Sequence, residues 1–371
     1  MKIAIYNLTA TTKLGGLETF SWEMARELAG RGFEVEILAG HGELRGRQAP
    51  GLEVHTFPFR PRERFPDLGS RFRKLAERLS LARHAQGRLA GEGYAAVVVV
   101  KPYDIPAALW ARRRSGCRVC YFSGGGEFFP GYAFLVRRLD HFCACSAFDA
   151  QDIAAHCGVR PAVNHYGVDT DNFRPLEPDP ELARRWGIEP GDQVVASAVR
   201  LVAFKGITYG LEALALARER LPRLRYLLAG SGPEEPRLRR RIRELGLEGV
   251  VRLVGQLSHS RLAAFYSLAQ VAIFPSVQEA LGIAVAEAMS CGLAVVASRV
   301  GGMPEMAVPG AGITVPPRDP QALAAALVGL FQEPARLEEL GRAARRRVLE
   351  HFTWSACADR LLAGLGLPLR P

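Results

Sequence analysis

No apolar run in this sequence reaches the ~18–20 residues that a membrane-spanning helix needs. The N-terminus has no basic-then-apolar leader and goes straight into a strand-like run, 2–8. Both absences lead us to expect a cytoplasmic protein. Cysteine is sparse and odd in number, seven in all. Without a secretion signal, that argues against a disulfide framework. Cys117-x-x-Cys120 and Cys143-x-Cys145 look superficially like metal pairs, but buried thiols acting as small hydrophobes fit them better than zinc. The dinucleotide fingerprint G-x-G-x-x-G is missing. No carboxylate–x–carboxylate pair stands in a suitable loop, so no metal is expected. Aromatics do not interleave with the basic stretches and no nucleic-acid motif is present, which argues against nucleic acid as a partner despite a net charge of +10.

What is present is ordinary globular material, 48% hydrophobic and 23% charged. With 371 residues the chain exceeds the ~250–300 at which single cores stop growing, so two domains are expected. Positive charge is dense at 60–88, in Arg60, Arg62, Arg64, Arg71, Arg73, Lys74, Arg78, Arg83 and Arg88. Phe72, Leu75, Leu79 and Ala82 recur beneath them at helical spacing. Such a helix is either a solvated surface element or a peripheral contact with an anionic membrane.

The most informative stretch is 274–305, FPSVQEALGIAVAEAMSCGLAVVASRVGGMPE. A strand, Val271–Phe274, precedes a Pro275-Ser276 break, and Gly282 opens a helix over Ile283–Ser290. Cys291-Gly292 ends that helix before a second apolar run, 294–297. Glu279 and Glu287 stand eight residues apart, roughly 12 Å along a helix. Unpaired N–H groups at the helix start suit an anion or a sugar hydroxyl. In open α/β sheets ligands bind at the carboxyl ends of strands, and the polar residues here, with Gly301, Gly302 and Glu305, fall there.

Other strand-like runs are read at 33–39, 54–57, 94–100, 118–122, 141–146, 193–199, 225–229 and 250–255, with helical patterns between most of them. Four loops at strand ends carry candidate groups. Gly15-Gly16-Leu17-Glu18 follows the first strand, where backbone amides can approach a phosphate, although a plain turn reads equally well. Ser123-Gly124-Gly125-Gly126-Glu127 follows 118–122. Glu127 there is an acceptor-side candidate or a simple loop carboxylate. Arg200 ends 193–199, and Lys205-Gly206 stand five residues on. Gly230-Ser231-Gly232-Pro233 ends 225–229. The segment 176–190 is rich in proline and acid and starts with no strand, so the domain boundary is placed near it.

Glu279-x7-Glu287 together with Arg200-x4-Lys205-Gly206 resembles the signature of retaining glycosyltransferase family 4, the GT-B group that uses nucleotide sugars. Gly15-Gly16-x-Glu18, Gly167-Val168-Asp169…Phe173-Arg174-Pro175, and Gly230-x-Gly232-Pro233 resemble further family motifs. Two departures stand out. Tyr166 replaces the usual asparagine, and no histidine stands in the 123–129 loop. The resemblance implies an α/β GT-B fold, two Rossmann-like domains facing across a cleft, with a C-terminal helix crossing back to the first domain. The domains would be 1–170 with 352–371, binding the acceptor, and 171–351, binding the nucleotide sugar. Arg200 and Lys205 would hold the diphosphate, and both cations would stabilise the charge that grows on it as it leaves. Glu279 with the amides of Ala280, Leu281, Gly282 and Ile283 would hold the hexose, and Glu287 the ribose. Gly15, Gly16, Gly230 and Gly232 would line the donor site.

The implied reaction is transfer of a hexose to a hydroxyl of a glycan, lipid-linked sugar or small molecule, with retention and without a cofactor, in bacterial polysaccharide, glycolipid or glycoconjugate synthesis. No acidic residue stands at Ser258 or His259, where guanine readers often have one, which tilts the donor from GDP towards UDP. The alternatives are a nucleotide-sugar 2-epimerase of the same fold and a silent sugar-nucleotide-binding subunit.

Overall fold

The structure is a computed structural model that describes residues 1–13, 15–43 and 46–369. It divides into two compact units, Met1–Gly167 with the C-terminal segment from Trp354, and Val168–Thr353.

The first unit is built on seven strands: β1 (Lys2–Tyr6), β2 (Glu34–Gly40), β3 (Leu52–Phe57), β4 (Ala96–Val99), β5 (Arg118–Ser123), β6 (His141–Ala144) and β7 (Ala162–Val163). They lie in the order β3-β2-β1-β4-β5-β6-β7, every pair parallel. The apolar runs have a simple cause. A parallel strand is covered by helices on both faces, so it cannot alternate with polar residues. All four residues of β4 are accordingly buried.

The final helix, Trp354–Gly364, belongs to this unit and packs on the helix Gly16–Gly30. Arg31 bonds Asp359 at 2.5 Å and the Ser355 hydroxyl at 2.8 Å. The Asn164 amide donates to the Cys357 carbonyl at 3.0 Å.

The basic helix, Ser70–Gly91, turns a different face inward than its spacing suggests. Its buried residues are Glu77, Arg78, Leu81, Ala85 and Leu89, while Phe72 and Leu79 are exposed. The cause is an ion pair. Arg78 lies against the fully buried Asp104 at 2.7 Å, which draws a charged position into the core side of the helix.

The second unit has six strands: β8 (Gln193–Ala198), β9 (Leu224–Ala229), β10 (Val251–Gly255), β11 (Val271–Phe274), β12 (Ala294–Ser298) and β13 (Ile313–Val315). Their order is β10-β9-β8-β11-β12-β13, again all parallel. A short helix, Pro180–Trp186, occupies the proline- and acid-rich segment that the sequence analysis leaves without structure. Asp179 caps it, accepting from the Glu181 and Leu182 N–H groups, and Pro180 sits in its first turn.

Both sheets follow one plan. The first three strands run outward in one direction, and the fourth returns to the other side of the first. Strand order therefore reverses between β1 and β4 in one unit and between β8 and β11 in the other. Loops at the carboxyl ends of such neighbouring strands part at that point, which makes it the place for a ligand.

Candidate active site

In the second unit, both loops at the reversal carry charge. After β8 the chain passes Arg200 and a short turn, Ala203–Lys205, before the helix Ile207–Ala217. After β11 it passes Pro275 and Glu279 before the helix Ile283–Ser290. The loops are held together by backbone. The Val277 N–H donates to the Phe204 carbonyl at 2.8 Å. Gly206 has φ +64, and a Cβ on it would lie 2.0 Å from the Pro275 carbonyl oxygen, so only glycine fits. On the other side, Gly301 at φ +55 lies under Glu279, where a Cβ would come within 1.6 Å of the Glu279 carbonyl oxygen.

The result is a direct contact across the reversal. The Lys205 ammonium donates to Glu279 Oε2, and both side chains are largely buried. Arg200 is exposed, and its guanidinium makes no ion pair or hydrogen bond among the described residues. It lies 5.9 Å from the Phe204 ring centroid. The Leu201 N–H donates to the Ser231 carbonyl at 2.9 Å, which sets the Gly230–Gly232 turn against the Arg200 loop. Beside Glu279, the N–H groups of Leu281, Gly282 and Ile283 donate no hydrogen bond among the described residues. These are the free donors of a helix start.

Glu287 is buried in the same helix, and His259 Nε2 stands 3.1 Å from its Oε1. The His259 ring meets Phe173 edge-on, with centroids 4.8 Å apart. No role for the His259 side chain is readable from the sequence. Its one signal is its place just after β10, and a contact spanning 28 residues has no periodicity to reveal it. Burial, with Glu287 nearby, pushes the Cys291 thiol up to about 12, which keeps it neutral.

Gly15, Gly16 and Glu127 belong to the first unit. Gly15 is the N-cap of the helix Gly16–Gly30, and a Cβ on Gly16 would meet nothing within 4 Å, so packing does not explain that glycine. Glu18 accepts from the Thr9 hydroxyl at 2.5 Å. Glu127 is paired with Lys74. Lys101, two residues past β4, is a further charged group that the sequence analysis does not single out. Burial pushes its ammonium below the ordinary 10.5 and the Arg78 charge adds to this, while Glu127, Glu18 and Asp104 oppose it.

Among the described residues, the cysteines form no group of three possible metal ligands. His141 Nε2 lies 3.0 Å from Cys143 Sγ, but all seven cysteines are free and buried. Among the described residues, one group of three possible ligands stands together, Glu36, Glu53 and His55. Glu36 is already bonded by Arg88 and Lys2. No helix among the described residues is long and apolar enough to cross a membrane.

Two doubly wound parallel domains, one with paired cation and carboxylate at its strand reversal, define the GT-B architecture of sugar-transferring enzymes. Comparisons with known proteins agree. The family model described as glycosyltransferase family 4 matches residues 14–172, and that described as glycosyl transferases group 1 matches 178–347. The chain is 29% identical to D-inositol 3-phosphate glycosyltransferase from Nocardiopsis dassonvillei, over 95% of this chain and 89% of that one. It is 28% identical to MMP alpha-(1->4)-mannosyltransferase from Mycolicibacterium hassiacum, over 98% and 97%. Among solved structures, sucrose-phosphate synthase from Thermosynechococcus elongatus aligns with a TM-score of 0.80 at 21% identity, over 97% of each chain. Anabaena HepE in complex with UDP aligns at 0.77 and 19%, over 99% of this chain and all of that one. The chain belongs to the family 4 glycosyltransferases.

Proposed function

We propose that this glycosyltransferase moves a hexose from a nucleoside diphosphate sugar to a hydroxyl acceptor, with retention at the anomeric carbon and without a metal ion. One observation carries the proposal. Lys205 and Glu279 meet at the strand reversal, with the unpaired Arg200 in the adjoining loop. A cation beside a carboxylate matches a sugar diphosphate, which is anionic at one end and rich in hydroxyls at the other. HepE, a structural neighbour, has been solved with UDP-glucose. That supports the donor class and favours UDP, as does the absence of acid at Ser258 and His259.

In this account Arg200 bridges diphosphate oxygens with paired N–H bonds, and Lys205 acts as a point charge. The bond from the anomeric carbon to the diphosphate oxygen breaks, and the two cations stabilise the charge left on that oxygen. The acceptor oxygen bonds the same face of the sugar, and its proton passes to the departing phosphate oxygen. Glu279 and the amides of Ala280 to Ile283 hold the hexose hydroxyls. Glu287 receives the ribose, with His259 setting its position.

The first unit takes the acceptor, and Gly16 leaves room there. The reaction belongs to bacterial polysaccharide, glycolipid or glycoconjugate synthesis. The enzyme works in the cytoplasm, with peripheral contact at the inner membrane face through 60–88.

Thermal shift against UDP-, GDP-, ADP- and dTDP-sugars tests the donor. A ligand at a hundred times its Kd adds about 2.7 kcal/mol of stability. UDP-sugars should stabilise the protein most. Arg200→Ala should lower turnover with that donor by about 100-fold or more. Unchanged turnover in this variant contradicts the diphosphate assignment.

A further inference from the structure

The second unit has a cavity that the proposed donor loops do not use. Its volume is about 630 Å³, within the roughly 300–1,000 Å³ of small-molecule sites. Gln270 and Leu293, the residues before β11 and β12, line it. It therefore lies at the amino ends of these strands, while Arg200, Lys205 and Glu279 stand past the carboxyl ends of β8 and β11. One wall is the helix Pro334–His351. That helix crosses the turn before β12 backbone to backbone, since a Cβ on Gly341 would lie 2.2 Å from the Gly292 carbonyl oxygen. Wall and floor are thus fixed to each other.

The lining has two characters. Leu176, Leu293, Leu337 and Leu349 make it apolar. Among the described residues of the second unit, the exposed large hydrophobic side chains are Leu176, Phe204, Leu216 and Leu349, and two of these four meet here. Covering them with an apolar group removes that surface from water. The charged lining residues are Arg342, Arg345, Arg346 and Glu338, which leaves two net positive charges. Arg345 is half-buried and anchored at one nitrogen, its Nη1 donating to the Phe173 and Ser290 carbonyls. Its Nε and Nη2 make no hydrogen bond among the described residues. Arg346 is exposed and makes no ion pair or hydrogen bond among them. Arg342 has Glu338 at 2.5 Å, both side chains mostly exposed, and such pairs are weak.

A guanidinium held in place with spare donors, next to a second one, suits the oxygens of a phosphate. A phosphomonoester carries about −1.5 to −2 charges at pH 7, which matches the net charge of the lining. We propose that this cavity binds a small phosphomonoester on an apolar body, at a site separate from the donor loops. The phosphate oxygens pair with Arg345 and Arg346, and the apolar body covers Leu176 and Leu349. Inorganic phosphate meets only the first need, and a neutral apolar alcohol only the second.

Calorimetric titration of the full chain with naphthyl phosphate, inorganic phosphate and naphthol, with and without saturating UDP, tests this. Naphthyl phosphate should bind about tenfold or more tightly than either comparison compound, and UDP should leave that binding unchanged. Arg346→Glu should remove the advantage over naphthol. Leu176→Ser with Leu349→Ser should remove the advantage over inorganic phosphate. The three substituted side chains are exposed, so these variants should fold as wild type does.

Naphthyl phosphate that UDP displaces would mean that the donor clamp holds the probe, which overturns the proposal. So does naphthyl phosphate bound no tighter than inorganic phosphate, which would mark an adventitious ion only, or a preference that survives Arg346→Glu. The variants lie outside the donor loops. A chain that fails to bind UDP therefore loses the donor reading and leaves this test standing.

Discussion

Lys205 and Glu279 neutralise each other in the structure, yet each is proposed to hold a different end of the donor. The pair keeps both side chains in position, and the incoming diphosphate then competes for the lysine. Elsewhere a charged cluster serves stability. Glu36 on β2 is buried, which opposes its ionisation, but bonds from Arg88, Lys2 and Tyr94 overcome that and hold its carboxyl down at about 2. Against an ordinary value of 4.5, the shift contributes roughly 3 kcal/mol.

The group is depressed, so its contribution is complete above 4.5 and is lost as pH falls through 2. Urea denaturation should show Glu36→Gln less stable than wild type by a few kcal/mol at pH 7. The gap should narrow steadily below pH 4.5, and a gap that stays constant down to pH 3 would contradict the assignment. Residue types and spacing single out Arg200, Lys205, Glu279 and Glu287 in the sequence, and the structure brings Lys205 against Glu279. The contact of His259 with Glu287 is not legible there, because a partner 28 residues away leaves no local pattern.

Secondary elements are legible for a related reason. Strands buried on both faces write themselves as continuous apolar runs, so β4, β8 and β11 stand out. β11 has the bounds read from the sequence, while the ends of β4 and β8 shift by one or two residues, since the apolar run continues into the loop. Pro180–Trp186 is hidden in the sequence because its proline and acids read as linker, although Asp179-Pro180-Glu181 is a helix-start pattern. In Ser70–Gly91 the buried Arg78 rotates the inner face, which exposes Phe72 and Leu79 beside Arg71 and Arg83. Apolar and basic side chains sharing one exposed surface suit an anionic bilayer better than a solvated face. The protein should sediment with phosphatidylglycerol vesicles but not with neutral ones, and salt should weaken the association. Replacing Phe72 and Leu79 together by Ser should reduce it about tenfold or more. Equal binding to neutral vesicles, or no effect of the double substitution, would count against a membrane role for this helix.

At the scale of the whole molecule, one plan is used twice. Each unit places its strand reversal at loops that hold charged or unmatched polar groups: Arg200, Lys205 and Glu279 in one, Lys101, Tyr6 and Asp104 in the other. The role proposed for the second unit is the easier one to read, because a diphosphate sugar would call for fixed cations and a carboxylate at set places. The first shows less, because Tyr6 on β1 and Lys101 and Asp104 in the segment after β4 stand far apart in sequence and share no local pattern. The central claim is that the Lys205–Glu279 pair opens to take the diphosphate. A crystal structure of the full chain soaked with UDP tests it most directly. The account predicts the diphosphate between Arg200 and Lys205, with the Lys205 ammonium moved from Glu279 to a phosphate oxygen. UDP bound elsewhere, with the Lys205–Glu279 contact intact, would contradict it.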